Sequence, residues 1–235
     1  MLRLRLLPLC LLGACAAPAA APAHDWSWVW ILTGPQDAHV QGEARQAAFT
    51  GHFANMGRLA EEGALLLAGP FAEPRAQADH RGIFVLATED AAEAQALAGT
   101  DPAAQAGVFV FDVESFHTSD RLDLVAGMHE RAVAASGEPN PAPGFHARPY
   151  VLVSGRPARA AERALAPSTA SVLFAGRLGA GGGARALYCL DAQNAEEARA
   201  LLDALPASGV EWVVMPWFAT AELVNLRGAA PSAPR

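Results

Sequence analysis

Gly63-Ala64-Leu65-Leu66-Leu67-Ala68-Gly69-Pro70 is a short apolar run closed at both ends by residues that interrupt regular structure. Five apolar residues are too few for a helix, and Gly69-Pro70 stops the run, so residues 64–68 are expected as a short strand. Upstream, residues 43–62 carry a helical repeat in which Ala48, His52 and Met56, with Leu59 three further on, share one side. Gly63 ends that helix as its C′ residue. Before the helix, residues 27–33 (SWVWILT) are rich in strand formers and bounded by Gly34-Pro35. After the run, a polar loop with Pro74, Asp79 and His80 leads to a strand at 82–88 (GIFVLAT). A small helix follows at 88–98, with Thr88 or Asp90 as its N-cap. Asp101-Pro102 opens a short helical turn, proline standing at a natural first position. Gly107 then leads into an alternating strand at 108–116. The order is β-α-β-β-α-β, an α+β arrangement of ferredoxin-like type.

The second half repeats that order in shorter form. Residues 148–154, 171–176, 184–191 and 211–218 are its expected strands. A helix at 194–205 is capped by Asp191 or Asn194 and carries Glu196 and Glu197 in its first turn, which suits the helix dipole. The counterpart of the long first helix shrinks to about 157–165. Gly181-Gly182-Gly183 sits between two strands and reads as a hairpin turn. The expectation is two tandem ferredoxin-like domains, at 24–135 and 150–228, joined by a Pro/Gly linker at 136–149.

The chain has 235 residues, of which 52% are hydrophobic and 17% charged, with a net charge of -7. That composition sustains a buried core, and the absence of a basic stripe argues against nucleic acid as a partner. Arg3 and Arg5 precede a short apolar stretch at 6–14, the pattern of an export signal too short to span a bilayer. Leu12-Gly13-Ala14-Cys15 looks like a lipobox, in which Cys15 is lipidated and becomes the first mature residue. Ordinary cleavage after Ala21-Pro22-Ala23 is the alternative, so the expected location is a membrane-anchored lipoprotein or the periplasm. Residues 16–23 form an Ala/Pro tether. Cys10 falls in the signal, which leaves Cys189, expected as a small buried hydrophobe that has no partner for an internal disulfide.

Three motifs point to a family. His52 lies on the first helix, GALLLAGP spans 63–70, and Thr100-Asp101-Pro102-Ala103-Ala104-Gln105-Ala106-Gly107 precedes the last strand of the first half. From about Trp28 to Phe116 the chain resembles the YCII (YciI-like) family. The resemblance implies a ferredoxin-like fold that dimerises through its sheets, and a His/Asp pair that falls here on His52 and Asp101. Family members often carry an arginine three residues before the histidine; this chain has Phe49 there, with Arg45 the nearest upstream. The second half has neither a histidine after His146 nor an Asp-Pro passage, so the pair does not carry over to it. The second copy is then expected as a degenerate partner, completing a pseudo-dimer of the dimeric α/β-barrel kind within one chain, with a homo-oligomer as a further expectation.

A histidine titrates near neutrality, and a neighbouring carboxylate orients its ring, so such a pair can take a proton from a small molecule and return it elsewhere or help expel a leaving group. The resemblance makes lyase or isomerase chemistry the concrete expectation; a non-catalytic module binding a small ligand or a protein is the alternative. Taken alone, a histidine such as His52 on an amphipathic helix is usually packed or solvent-facing, and Asp101 before proline is an ordinary turn and helix-start residue. Gly69, Pro70, His80 and His117 are expected around the same pocket, although His80 and His117 also read as surface loop histidines. No nucleotide-binding or metal-ligand spacing is present, so neither cofactor nor metal is expected. Trp26, Trp28 and Trp30 alternate on one strand face, where aromatics usually pack.

Overall fold

Residue alternation along β1 (His24–Thr33) puts Trp26, Trp28 and Trp30 on one face, and all three are buried. That face is the inside of a nearly closed barrel in the computed structural model, which describes residues 23–138, 145–156, 171–205 and 210–228. The chain continues through α1 (Gly42–Glu61), β2 (Leu65–Pro70), β3 (His80–Leu86), α2 (Ala91–Gly99), α3 (Pro102–Gln105) and β4 (Phe109–Thr118). A 3-10 turn at Leu122–Leu124 leads into α4 (Val125–Ser136). The second half holds β5 (Ala147–Gly155), β6 (Val172–Leu178), β7 (Arg185–Leu190), α5 (Ala195–Asp203), β8 (Val213–Thr220) and a 3-10 stretch at Ala221–Gly228. The helix expected near 157–165, residues 139–144 of the expected linker and the Cys15 segment lie outside the described residues.

One eight-stranded antiparallel sheet runs in the order β2-β3-β1-β4-β6-β7-β5-β8. The two halves meet at β4 and β6 through Phe116↔Leu178 and His117↔Arg177. The free ends of the sheet approach each other at an isolated bridge, Phe71↔Trp217, beside which the Ala72 N–H donates to the Pro216 carbonyl at 2.8 Å. The barrel interior is filled from both halves, by Trp28, Trp30 and Phe116 on one side and Tyr150, Leu152 and Trp217 on the other. Outside it, α1, α2 and α3 cover one half over Val29, Leu59, Phe84 and Val108, and α5 covers the other over Val151, Val153 and Leu190. Strands buried on both faces explain why runs such as GIFVLAT lack alternation.

Local chemistry sets the helix starts. The Asp90 side chain accepts from the Ala92 N–H at 2.8 Å, and Asn194 accepts from the Glu197 N–H at 2.9 Å. Cys189 is fully buried in the barrel, and that burial pushes its thiol well above the usual range. The two halves are also tied by a polar clamp at one barrel end. The Glu114 carboxylate accepts from Trp30 Nε1 at 2.7 Å and from both terminal nitrogens of Arg185 at 2.7 and 2.8 Å. Burial would raise this carboxyl, but the bonds from Arg185 and Trp30 outweigh it and hold Glu114 below the usual range.

Two expectations need correction. The linker expected at 136–149 overlaps the strand expected at 148–154, and the strand prevails: β5 begins at Ala147, because pairing with β8 extends it to Ala147↔Thr220. Helix α4 was not anticipated; only Val125 of it is buried, so its sequence carries little periodic signal. Among the described residues, no helix is long and apolar enough to cross a membrane.

Candidate functional site

His52 sits in the middle of α1, on the face turned toward the sheet, and Asp101 sits immediately before α3. The positions are 49 residues apart, yet His52 Nδ1 lies 2.5 Å from Asp101 Oδ2. Asp101 is 0% exposed and His52 7%. The second carboxylate oxygen, Oδ1, accepts from the Ala103 N–H at 2.8 Å, so one side chain caps α3 and holds the imidazole. Paired with an ionised carboxylate, which only accepts, Nδ1 would be the donor and the Nε2 lone pair would face away from Asp101. The ring is fixed by aromatic neighbours: it stacks over Phe84 at 6.0 Å and meets Phe49, Phe53 and Phe109 edge-on at 5.2 to 6.3 Å. Gly51, one residue before, faces Pro102, where an added Cβ would stand 2.8 Å from the ring carbons. A small residue there lets α1 reach the start of α3.

A second tie runs beside the first. Asn55, one helical turn beyond His52, accepts through Oδ1 from Thr100 Oγ1 at 3.1 Å and from Arg58 at 2.9 Å. Since Thr100 precedes Asp101, the two ties together set the helix against the loop that carries the carboxylate. Asn55 did not stand out in the sequence, and Thr100 entered only as the first residue of the Asp-Pro motif, because a lone asparagine within a helix and a threonine at a helix end carry no signal of their own.

The other expected residues lie elsewhere. His80 faces the barrel end, its ring 5.0 Å from Trp30 and 6.4 Å from Phe71, beside a small cavity also lined by Arg75 and Met215. His117 lies at the β4–β6 junction and pairs with Asp25 at 2.7 Å, exposed to solvent. The expectation that both join His52 in one pocket is therefore corrected: His52 is on the helix-covered face of the sheet, whereas His80 belongs to the barrel interior and His117 to an exposed junction. Gly69 and Pro70 line a groove of about 760 Å³ between α1, β2, α4 and β8. Its walls include Phe53, Met56, Val125, Phe145 and Phe218, with His129 on one side. His129 Nδ1 lies 3.0 Å from Thr220 Oγ1, and burial, followed by the neighbouring His146, lowers its pKa. Neither His52 nor Asp101 lines this groove. Its walls come from both halves of the chain, so no local sequence pattern marks it. Among the described residues no group of three or more potential metal ligands gathers.

Burial lowers the pKa of His80 below 6.5, and the nearby Asp79, Asp112 and Glu114, which act the other way, do not cancel it. A histidine that is harder to protonate folded than unfolded stabilises the fold above the unfolded value, and the contribution is lost as pH falls through the folded one. Glu114 acts in the same direction at lower pH. Denaturant unfolding from pH 7 down to 5 should therefore show falling stability, with a shallower fall in His80→Gln; an equal slope in both proteins would remove His80 as the cause.

The chain was compared with known proteins. No curated protein and no solved structure matches it. The family model of the YCII-related domain does match, over β1 to β4 with the His52–Asp101 pair inside the matched stretch. The match to the YCII-related domain covers residues 28–117 of this chain.

Proposed function

We propose that the YCII-related domain is an acid–base catalyst of the lyase or isomerase type, acting on a small molecule. One observation carries this reading: a histidine and a carboxylate distant in sequence meet at 2.5 Å with almost no exposure. Asp101 orients the ring and holds the Nδ1 proton. His52 Nε2 takes a proton from a carbon beside a carbonyl and returns it to the same or a neighbouring atom, with no net change in the enzyme. The test is deuterium wash-in: a panel of small lactones and ketones is incubated with the protein in heavy water, and carbon-bound deuterium is read by mass. Exchange lost in His52→Ala supports the reading, whereas no exchange above buffer across the panel sinks it.

A non-catalytic binding module is the second reading. It is favoured by the burial of His52 and by the fact that the large groove opens on other residues.

The second half is read as a degenerate copy of the first, making the barrel a pseudo-dimer. The strand orders β2-β3-β1-β4 and β6-β7-β5-β8 support this, as does a register shift at matching places, Leu65/Leu67 and Val172/Phe174. The junctions correspond as well. Phe71↔Trp217 answers Leu178↔Phe116, and the Ala72 N–H to Pro216 bond answers that from the Gly179 N–H to Ser115. Export with lipidation at Cys15 rests on the N-terminal sequence. Cys15→Ser should move the protein from the membrane to the soluble fraction of the cell envelope; unchanged membrane association refutes the anchor.

A further inference from the structure

The two junctions correspond in backbone geometry but differ in how their strand edges are satisfied. At the β4–β6 junction, Ala175 turns its peptide groups away from β7. Its N–H donates to Asp120 Oδ2 at 2.7 Å, and its carbonyl accepts from Thr118 Oγ1 at 2.5 Å. Counting along the matched strands, Ala175 corresponds to Ala68 of β2. In the same way Thr118 corresponds to Ala219 and Asp120 to Ala221. Neither alanine has a side chain that can donate or accept a hydrogen bond.

The alternation of β2 shows where the Ala68 groups point. The Phe71 N–H donates to the Arg81 carbonyl, on the β3 side, at 2.9 Å. Residues in step with Phe71, including Gly69, therefore bond to β3, and Ala68 faces the other edge. Ala68 lines the 760 Å³ groove. Among the described residues, nothing supplies at this edge what Thr118 and Asp120 supply at the other. A strand edge with a donor and an acceptor side by side is a template for pairing.

We propose that this groove is a binding site for a small uncharged molecule with an apolar body and a primary or cyclic amide head. The head accepts from the Ala68 N–H and donates to the Ala68 carbonyl, doing at this junction what Asp120 and Thr118 do at the other. The body lies against Phe53, Met56 and Phe218. An amide fits because it places a donor beside an acceptor, whereas an ionised carboxylate lacks the donor and the walls contain no lysine or arginine. The volume lies in the range of sites for small organic ligands. Phe53 is 42% exposed and Phe218 38%, large apolar surface that a bound body would cover. The site is independent of proton transfer at His52.

The test uses 4-phenylbutanamide and its N,N-dimethyl derivative, titrated into the isotope-labelled full chain, with the Ala68 amide resonance followed. The expected result is a saturable shift at Ala68 with the primary amide and binding at least ten-fold weaker with the dimethyl compound, which has lost the donor. Ala219→Thr combined with Ala221→Asp should transplant the closure of the other junction, raise the melting temperature and abolish binding. If that variant does not fold, Phe53→Ser replaces it and should weaken binding about ten-fold. The proposal is overturned if no saturable shift appears at Ala68, if both amides bind equally, or if the folded variant binds as the wild type does.

Discussion

Gly69→Ala is expected to destabilise the protein by about 3 kcal/mol, the upper end of the usual cost of overpacking. A Cβ at this position would stand 1.8 Å from the Phe218 carbonyl oxygen and 2.8 Å from Trp217 Nε1. The first of these is backbone and cannot rotate away, so β2 and β8 must separate at the point where the sheet ends come together. Separation would also disturb Trp217, which is fully buried in the barrel interior. The matching position at the other junction, Gly176, has the same constraint in another form: its Cβ would meet the Phe116 ring at 2.2 Å and the His117 carbonyl at 2.8 Å. Gly57 is the control. It lies inside α1 with nothing within 4 Å of an added Cβ, so Gly57→Ala should stabilise by roughly 0.5–1 kcal/mol. Chemical denaturation of the two variants checks the argument; a Gly69→Ala protein as stable as the wild type would mean that the β2–β8 approach does not hold the barrel together.

Replacing Asp101 should separate its two roles. In Asp101→Asn the oxygen that caps α3 survives, so the fold should persist. The amide nitrogen now faces His52 Nδ1, which must accept rather than donate, and the ring proton moves to Nε2. The nitrogen that would take the substrate proton is then blocked, and the exchange rate should fall on the order of 100- to 10,000-fold. Asp101→Ala removes both bonds and leaves the Ala103 N–H and His52 Nδ1 buried without partners. The expected cost is about 3 kcal/mol, combining a lost cap with the desolvation of an unpaired group. Imidazole nitrogen NMR reads the tautomer independently of activity. If the asparagine variant keeps its exchange rate, the carboxylate is a helix cap and nothing more.

The sequence by itself determined the local units. Gly34-Pro35, Gly63 and Gly69-Pro70 mark where regular structure must break, and the repeat through Ala48, His52 and Leu59 identifies the buried side of α1. The alternation of Trp26, Trp28 and Trp30 shows that they share a face, and the pairs Thr88/Asp90 and Asp191/Asn194 announce helix starts, of which Asp90 and Asn194 are the caps. These features are legible because backbone sterics, helical periodicity and capping act between residues close in sequence.

Only the tertiary structure decided what those faces pack against. The tryptophan face proved to be the interior of a barrel shared by both halves, completed by Tyr150 and Trp217. The motif singled out His52 and Asp101, but their 2.5 Å approach depends on the docking of α1 against α3 through Gly51 and Pro102. His80 and His117, near one another in the expected topology, were separated because sheet closure sends one into the barrel and the other to a junction. The groove beside Ala68 and the tie between Asn55 and Thr100 had no sequence signature at all. Each is made by elements brought together through sheet closure and helix docking, and no periodicity within one segment encodes the register between two distant ones.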